Sequence, residues 1–441
     1  MATIPRPRRT ALHTRILIAL VLGGLLGLIL QATMLGGAKN ADLKWIVDVI
    51  ATPVGNIFLT MIFMIVVPLL FAALCLGIAE IGDVARVGRI GVRALLMTIL
   101  LSGIAVILGL TIVNLVKPGA GISEEKRSAM VADINKEEAA KKGAAEKPAE
   151  QDPSVLGIVP KNPLLEATRA FTGGLMPFMF FALIFGLAMS AIDPEKALPL
   201  RGFLEGLFAV CLKIIDFAMI LAPIGVFALV FKTGAMLGFE AFVALGKYAL
   251  VVLVALAFHQ FVVYSLVIKY IAKRNPIEFF RQMRTVMLTA FSTSSSNATL
   301  PTALKAADEE LGLPRDISSF ILTVGATANQ NGTALFEGIT ILFLAQFSGI
   351  ELTVAQQFSV MLLSIVAGIG TAGVPGGSWP MIGGIVTRFG IPVETIGICL
   401  GIDRILDMSR TVLNVTGDMT IACCVARMEG RGIEVPETEM D

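Results

Sequence analysis

The chain has 441 residues, of which 55% are hydrophobic and only 16% are charged, whereas about a quarter of the residues of a soluble globular protein are charged. The 35 basic and 34 acidic side chains give a formal net charge of +1. This composition excludes a disordered chain and a nucleic-acid binder, which needs a basic excess. An ordinary soluble enzyme is also disfavoured, because lipid is the solvent that suits so apolar a chain.

A series of apolar runs follows a basic N-terminus. Most of them are long enough for a membrane-spanning helix, which needs about 20 apolar residues. The first run lacks a small-residue cleavage site, so it predicts a span and not a signal peptide. The runs are Ile16–Leu30, Ile57–Ile78, Ala94–Val116, Leu175–Ile192, Phe208–Phe231, Ala241–Ile271, Phe320–Phe347, Phe358–Val386 and Ile396–Ala426.

Basic residues predict the orientation of these spans. Arginines and lysines precede the first span, separate the second from the third and follow the sixth, and such segments are cytoplasmic. We therefore expect a multi-pass protein of the cell (inner) membrane with both termini in the cytoplasm. The stretch 119–153 is rich in Ala, Glu and Lys, which predicts a flexible extracytoplasmic loop.

Cysteine and histidine usage argues against bridges and metal sites. The five cysteines lie in apolar segments and their number is odd, so we expect small buried side chains without disulfides. The chain has only two histidines, which argues against a metal site built from histidines. The cysteines are Cys75, Cys211, Cys399, Cys423 and Cys424.

Two segments interrupt the apolar pattern with small and polar residues. They are FSTSSSNATLP at Phe291–Pro301 and GIGTAGVPGGSWP at Gly368–Pro380. At membrane depth such stretches are tolerated only where protein buries them or where they line a wet cavity. Two matched interruptions indicate the binding site of a transporter. The alternative is that both are ordinary loops outside the membrane.

The last span carries a stripe of polar residues at helical spacing, which places them on one face. An acidic amino acid needs partners for one ammonium and two carboxylates. Asp407 suits the ammonium, Arg410 the side-chain carboxylate and Asn414 the α-carboxylate. Asp418, further along the stripe, suits a cation. The alternative is a structural ion-pair ladder between Asp407 and Arg410.

A second polar cluster lies in the seventh span, within GATANQNGTALFEG at Gly325–Gly338. Asn329, Asn331 and Gly332 are poor helix formers, so we expect a local unwinding that turns carbonyls toward a cation. Desolvation of a buried Glu337 favours its neutral form, which predicts a proton carrier. The alternative is a glutamate that is paired with an arginine and never titrates.

Four motifs together resemble the glutamate transporter family, the dicarboxylate/amino acid:cation symporters that include archaeal aspartate transporters and animal excitatory amino acid transporters. The resemblance runs from the first span to about Arg427. It implies an all-α polytopic membrane fold with eight transmembrane helices, two re-entrant helical hairpins and inverted repeats, which forms a homotrimer and works as an elevator. The motifs are TSSSNATLP (Thr293–Pro301), NQNGTALFEG (Asn329–Gly338), GIGTAGVPGG (Gly368–Gly377) and DMSRTVLNVTGD (Asp407–Asp418).

The resemblance also implies a division of the chain. Scaffold helices would occupy 1–92 and 154–235, transport-domain helix 3 would occupy 93–118, and the rest of the transport domain would occupy 236–427. The stretch 119–153 would be the outer loop and 428–441 a cytoplasmic tail. The substrate would contact Ser295, Ser296, Thr333, Val374, Pro375, Gly376, Gly377, Ser378, Asp407, Arg410, Thr411 and Asn414.

The sequence departs from sodium-coupled members at one cation site. Those members resemble N-M-D-G-T where this chain has N-Q-N-G-T, so Asn331 replaces an anionic ligand, and Leu101 replaces a hydroxyl in the third span. A hard cation usually needs a carboxylate, so Asn331 and Leu101 are expected to weaken this site badly and argue against a third sodium site. The remaining sodium sites would use Gly325, Thr327, Asn329, Gly368, Ile369, Thr371, Asn414 and Asp418.

We therefore expect a symporter that imports an acidic amino acid (glutamate or aspartate), with Glu337 as the proton carrier, weakened sodium dependence and no cofactor. Glu337 matches a glutamate of the proton-carrying members. The alternative is a sodium-coupled symporter of C4-dicarboxylates or acidic amino acids. Two other classes are a channel, which tends to show symmetric pore rings, and a membrane enzyme, although the serine-rich motif lacks GxSxG and a nearby histidine.

Overall fold

The computed structural model describes residues 12–34, 37–86, 88–121, 159–170, 174–370 and 376–431, and every regular element in these ranges is helical. The helices are α1 Leu12–Thr33, α2 Ala41–Trp45, α3 Thr52–Phe63, α4 Val66–Arg86, α5 Arg89–Val116, α6 Pro163–Thr168, α7 Leu175–Ala191, α8 Pro194–Leu237, α9 Phe239–Phe258, α10 Tyr264–Tyr270, α11 Pro276–Gln282, α12 Arg284–Thr293, α13 Ser296–Glu309, α14 Arg315–Ala328, α15 Asn331–Ser348, α16 Val354–Gly370, α17 Trp379–Arg388, α18 Ile396–Leu400 and α19 Asp403–Met428. Most of the predicted loop 119–153 and most of the tail 428–441 lie outside the described residues.

Five helical stretches of the described ranges are long and apolar enough to cross a membrane. They are Thr14–Thr33, Ala41–Ala79, Arg89–Gly121, Pro194–Leu237 and Phe239–Tyr270. The predicted spans nearer the C-terminus are not single helices. Helices α14 and α15 share the seventh, α16 and α17 the eighth, and α18 and α19 the ninth.

Side-chain exposure follows the pattern of a protein in lipid. Large apolar side chains face outward, among them Leu22 at 55% and Ile220 at 67% exposure. The charged side chains of Asp407, Arg410 and Asp418 are buried. A soluble protein buries its apolar groups and hydrates its charges, so this arrangement fits a chain whose outer surface meets lipid.

Helices α1 and α8 pack with their backbones in direct contact. A Cβ at Gly23 would lie 2.5 Å from the carbonyl oxygen of Phe227, and one at Gly27 would lie 2.5 Å from that of Phe231. Small residues four positions apart allow this close approach of helices in membranes. The glycines of the GGLLG segment therefore hold α1 against α8.

Helices α12 and α13 form a short antiparallel pair. They have 10 and 14 residues, which at about 1.5 Å per residue is well short of the ~30 Å hydrocarbon core. The chain reverses at Ser294, whose φ of 51° is left-handed, and the Ser295 side chain then caps α13 by accepting a hydrogen bond from the Ala298 N–H. Both helices pack against α19.

The α17–α18 region meets α1, α3 and α8 through glycines. A Cβ at Gly383 would lie 2.5 Å from the Phe63 ring, and one at Gly397 would lie 3.1 Å from Leu229. Gly401 faces Leu20 in the same way. Large side chains of α1, α3 and α8 therefore pack directly against the backbone of the α17–α18 region, because these three positions are glycines.

Candidate functional site

Four charged side chains meet at the start of α19. Arg410 donates from Nε and Nη2 to Asp407 Oδ1 over 2.9 and 2.6 Å. The same guanidinium lies 3.5 Å from Asp403 Oδ1, and Arg404 Nη1 lies 3.8 Å from Asp407 Oδ2. The ion pair that the sequence allows as a structural ladder is therefore present, and it belongs to a larger buried cluster.

This cluster keeps unused hydrogen-bonding capacity. Asp403 Oδ1, Arg404 Nε, Asp407 Oδ2 and Arg410 Nη1 are buried and have no hydrogen-bond partner among the described residues. Buried polar atoms usually find a partner. An incompletely bonded set of two carboxylates and two guanidinium groups is suited to a ligand that carries both charges.

Aromatic rings form the wall behind Arg410. Its guanidinium carbon lies 4.3 Å from the centre of the Phe336 ring, within the range of a cation–π interaction. Trp379 contacts the same ring edge-on, with ring centres 5.6 Å apart. Glu337, the neighbour of Phe336, is fully buried and attracts Arg410 electrostatically. The predicted proton carrier is thus electrostatically coupled to the predicted substrate-binding arginine.

The predicted break in the seventh span lies at Asn329 and Gln330, where the backbone leaves the helical region. Asn414 of α19 stabilises the helix that restarts there. Its Oδ1 accepts hydrogen bonds from the backbone N–H groups of Gly332 at 2.7 Å and Thr333 at 3.3 Å. Its Nδ2 donates to Gln330 Oε1 and, over 3.1 Å, to Thr333 Oγ1. Asn414 therefore acts as a capping side chain supplied by another helix.

One turn further along α19, three of the predicted sodium ligands come together. Asn329 Nδ2 donates to Asp418 Oδ1 over 2.5 Å, and the Asp418 carboxylate lies against the Cα of Gly325. Asp418 is only 3% exposed, and no salt bridge to it occurs among the described residues. An uncompensated buried carboxylate attracts a cation, so this group suits the predicted site.

Gly325→Ala is expected to impair transport, because its methyl group would displace the Asp418 carboxylate and break the bond to Asn329. Overpacking of this kind costs about 1–3 kcal/mol. The measurement is uptake in proteoliposomes together with the melting temperature. Gly246→Ala is the matched control, since a Cβ there meets nothing within 4 Å; equal behaviour of the two variants would contradict the expectation.

Neutral side chains are bonded to one another where the sequence argues against a third sodium site. Asn331 Oδ1 accepts a hydrogen bond from Ser102 Oγ over 2.5 Å, and its Nδ2 donates to the Tyr264 hydroxyl over 3.1 Å. Tyr264 in turn donates to the Leu413 carbonyl over 3.2 Å. Neutral groups therefore satisfy one another here, and Leu101 beside Ser102 is fully buried without a polar group.

The other predicted site residues are placed less closely together. Thr411 donates to the Asp407 carbonyl and Thr327 to the Val324 carbonyl, each within its own helix. A Cβ at Gly368 would lie 3.4 Å from the Gln330 carbonyl oxygen, so the end of α16 reaches the helix break. Ser296 is buried at the tip of the α12–α13 pair, next to the capping Ser295.

The predicted residues of the second polar segment are only partly described. Gly377 and Ser378 are buried in the turn before α17. Gly376 faces Met219 and Ile215 of α8. Thr371, Val374 and Pro375 lie outside the described residues, as does the side chain of Ile369.

Two residues that take part in this hydrogen-bond network were not among the site residues predicted from the sequence. Gln330 bridges Asn414 and the end of α14, since its Oε1 accepts from Asn414 Nδ2 and its Nε2 donates to the Ala326 carbonyl over 3.2 Å. Tyr264 supplies the hydroxyl that Asn331 needs. A tyrosine in an apolar span is a usable signal, because a buried hydroxyl usually has a partner.

The sequence profile of the Sodium:dicarboxylate symporter family matches residues 12–428. The chain belongs to this family. The membership confirms the resemblance that the four motifs indicate, and it makes the protein a member of a family of membrane transporters. The five long apolar helices agree with this assignment.

Several curated members of the symporter family are similar over almost their whole length. The proton/sodium-glutamate symport protein of Bacillus subtilis (strain 168) is 34% identical over 95% of this chain and 93% of the relative. The proton/glutamate-aspartate symporter of Escherichia coli (strain K12) is 33% identical over the same shares. A C4-dicarboxylate transport protein of Anaeromyxobacter sp. (strain K) is 28% identical over 95% of this chain and 90% of the relative.

Proposed function

We propose that this protein is a proton-coupled symporter that imports glutamate or aspartate. The observation that carries the proposal is the buried Asp407–Arg410 pair with its unused hydrogen-bonding atoms. An acidic amino acid exchanges partners with this pair, since its ammonium takes the place of Arg410 at Asp407 and its side-chain carboxylate receives Arg410. The names of the Bacillus and Escherichia relatives support this substrate class.

A C4-dicarboxylate fits the same residues less well. It has a carboxylate for Arg410 but no ammonium for Asp407, so the buried Asp403 and Asp407 would share one remaining base, Arg404, when Arg410 turns away. An unpaired buried charge costs several kcal/mol. The relative named for C4-dicarboxylates is also less similar to this chain.

Coupling is assigned to protons through Glu337, with a reduced role for sodium. Glu337 lies in the field of Arg410, so a change in its protonation alters the charge around the substrate. The neutral Ser102–Asn331–Tyr264 network offers no anionic ligand, whereas Asp418 keeps one cation site available. Importing a monoanion against 100 mV requires about 2.3 kcal/mol, so more than one cation accompanies it in electrophoretic uptake.

The transport cycle is proposed to be an elevator movement in a homotrimer of the cell membrane, with cytoplasmic termini. The scaffold comprises 1–92 and 154–235, and the moving part comprises 93–118 and 236–427. The glycine-faced contact of α17–α18 with α1, α3 and α8 supports this division, because a surface without protruding side chains permits sliding. The pairs α12–α13 and α16–α17 act as the two re-entrant hairpins, which completes a scheme of eight transmembrane helices.

Purified protein in liposomes tests the proposal directly. Radiolabelled glutamate is expected to accumulate when the interior is alkaline, in sodium-free buffer, and unlabelled succinate in excess is expected to compete poorly. Strict dependence on sodium would overturn the coupling assignment. Succinate uptake that exceeds glutamate uptake would overturn the substrate assignment.

Glu337→Gln is expected to abolish the dependence of uptake on the pH gradient while glutamate exchange persists. The amide keeps the size of the side chain but cannot release a proton, so it imitates the protonated carrier. The measurement compares net uptake with exchange at several external pH values. Glu351→Gln makes the same change at an exposed glutamate that follows α15, and it is the control. Wild-type pH dependence in Glu337→Gln would exclude Glu337 as the proton carrier.

A further inference from the structure

The charged cluster contains two acids and two bases, but the two bases are held differently. Arg410 is hydrogen-bonded to Asp407 and ion-paired with Asp403. Among the described residues, the one ion pair of Arg404 is with Asp407, at 3.8 Å. Its side chain is 19% exposed, against 3% for that of Arg410. Arg404 therefore contributes charge to the cluster without the fixed geometry of Arg410.

The positions of these residues put Asp407 between the two arginines. Arg404 precedes it by three residues and Arg410 follows it by three, and both spacings bring side chains together on a helix. Arg404 approaches Oδ2 of Asp407, while Arg410 binds Oδ1. Departure of Arg410 therefore frees Oδ1 and leaves Arg404 in place at Oδ2.

Charge counting shows why this second base matters. When Arg410 turns to the substrate, Asp403 and Asp407 remain, and the substrate ammonium compensates only one of them. Without a second base, one buried carboxylate would have no counter-ion, and a buried unpaired charge is strongly unfavourable. Arg404 supplies the missing charge, since it also attracts Asp403 electrostatically.

We propose that Arg404 is a positioning residue for substrate binding: it is the counter-ion that stays with Asp403 and Asp407 when Arg410 turns to the substrate carboxylate. The proposal rests on the proposed function. It also assigns a source of selectivity, because a dicarboxylate without an ammonium leaves two acids facing Arg404 alone. With Arg404 in place, Asp403 and Asp407 both keep a positively charged partner when the amino acid is bound.

The test compares Arg404→Gln with Arg404→Lys in proteoliposomes. Arg404→Gln is expected to raise the KM for glutamate by about tenfold or more, as one lost buried partner does, with a smaller change in the maximal rate. Arg404→Lys keeps the charge and is expected to stay within about threefold of wild type, since the ion pair at 3.8 Å needs no fixed geometry. The double variant Asp403→Asn/Arg404→Gln restores the charge balance and is expected to recover part of the affinity.

Tryptophan fluorescence gives an independent readout of binding in detergent. The chain has two tryptophans, and Trp45 is exposed whereas Trp379 is buried against Phe336, the ring under Arg410. In a Trp45→Phe background, Trp379 is expected to report glutamate binding, with the Kd shifted by Arg404→Gln in parallel with the KM. A structural role alone would lower the melting temperature without this shift.

The outcomes separate the two proposals. A wild-type protein that neither binds nor takes up acidic amino acids would overturn the proposed function, and the inference with it. Wild-type uptake together with an unchanged KM in a folded Arg404→Gln protein would overturn the inference alone. If Arg404→Gln does not fold, two other results would overturn the inference. One is a loss of glutamate affinity in Arg404→Lys. The other is a glutamate affinity of the double variant no higher than that of Asp403→Asn.

Discussion

Arg410→Gln is expected to abolish glutamate and aspartate uptake. The glutamine cannot bind a carboxylate in the bidentate manner of a guanidinium, and it leaves Asp403 and Asp407 without the base that now lies 3.5 and 2.6 Å from them. Breaking a buried pair costs about 3–5 kcal/mol, which corresponds to a loss of roughly two to four orders of magnitude in uptake efficiency. Initial rates of radiolabelled uptake measure it.

Arg431→Gln is the control for this change. Arg431 binds Asp316 through two hydrogen bonds, but both side chains are about half exposed, and exposed ion pairs contribute little. Its uptake is expected to equal that of wild type. Glutamate uptake by Arg410→Gln within a few-fold of wild type would mean that another group binds the substrate carboxylate.

Asn414→Leu is expected to destabilise the protein and to stop transport. The leucine removes the acceptor for the Gly332 and Thr333 N–H groups and the donor for Gln330 and Thr333 Oγ1. Each buried group left without its hydrogen bond costs about 1–3 kcal/mol. The break between α14 and α15 would therefore lose the side-chain hydrogen bonds that hold it against α19. The melting temperature in detergent and glutamate uptake are the measurements.

Two further variants test whether the lost hydrogen bonds of Asn414 cause this loss of stability and transport. Asn414→Asp keeps an acceptor for both N–H groups, so it is expected to lose less stability than Asn414→Leu. Ser409→Ala removes a hydroxyl of the same helix whose hydrogen bond within the described part of the chain is to the Ile405 carbonyl one turn earlier, and it is expected to be neutral. A stable, active Asn414→Leu protein would show that the break does not depend on Asn414.

The parts of the site that lie within one helix were predictable from the sequence. The spacing of Asp407, Arg410, Asn414 and Asp418 fixes them on one face of α19, whatever the rest of the fold does. The break near Asn329 was predictable for a similar reason, because residues that disfavour a helix cluster in an apolar segment. Local periodicity and propensity decide both features.

Partners that come from distant parts of the chain were not predictable in the same way. Asn414 reads as a substrate ligand in the sequence, yet its amide is bonded to Gln330 and the backbone beyond it, more than eighty residues away. Tyr264, which follows the π-helical turn His259–Val263, accepts a hydrogen bond from Asn331, 67 residues further along the chain. Packing between helices decides these contacts, and the local sequence pattern around each residue does not reveal which helix it will pack against.

The number and length of the membrane-spanning helices were also not predictable from hydropathy alone. Apolar runs such as Phe320–Phe347 have the length of a transmembrane helix, but the structure divides them. Hydropathy measures what surrounds a segment and is insensitive to a turn within it. The polar residues at each division were the better guide.

The five cysteines have a practical consequence. All of them are free and buried, and Cys75 also donates to the Ala182 carbonyl over 3.3 Å. Reagents that attack an exposed thiolate have no ready target in this fold. A cysteine introduced at an exposed position therefore becomes the preferred point of attachment for a fluorophore or spin label, so distances across the glycine-faced contact can be followed without first rebuilding the interior.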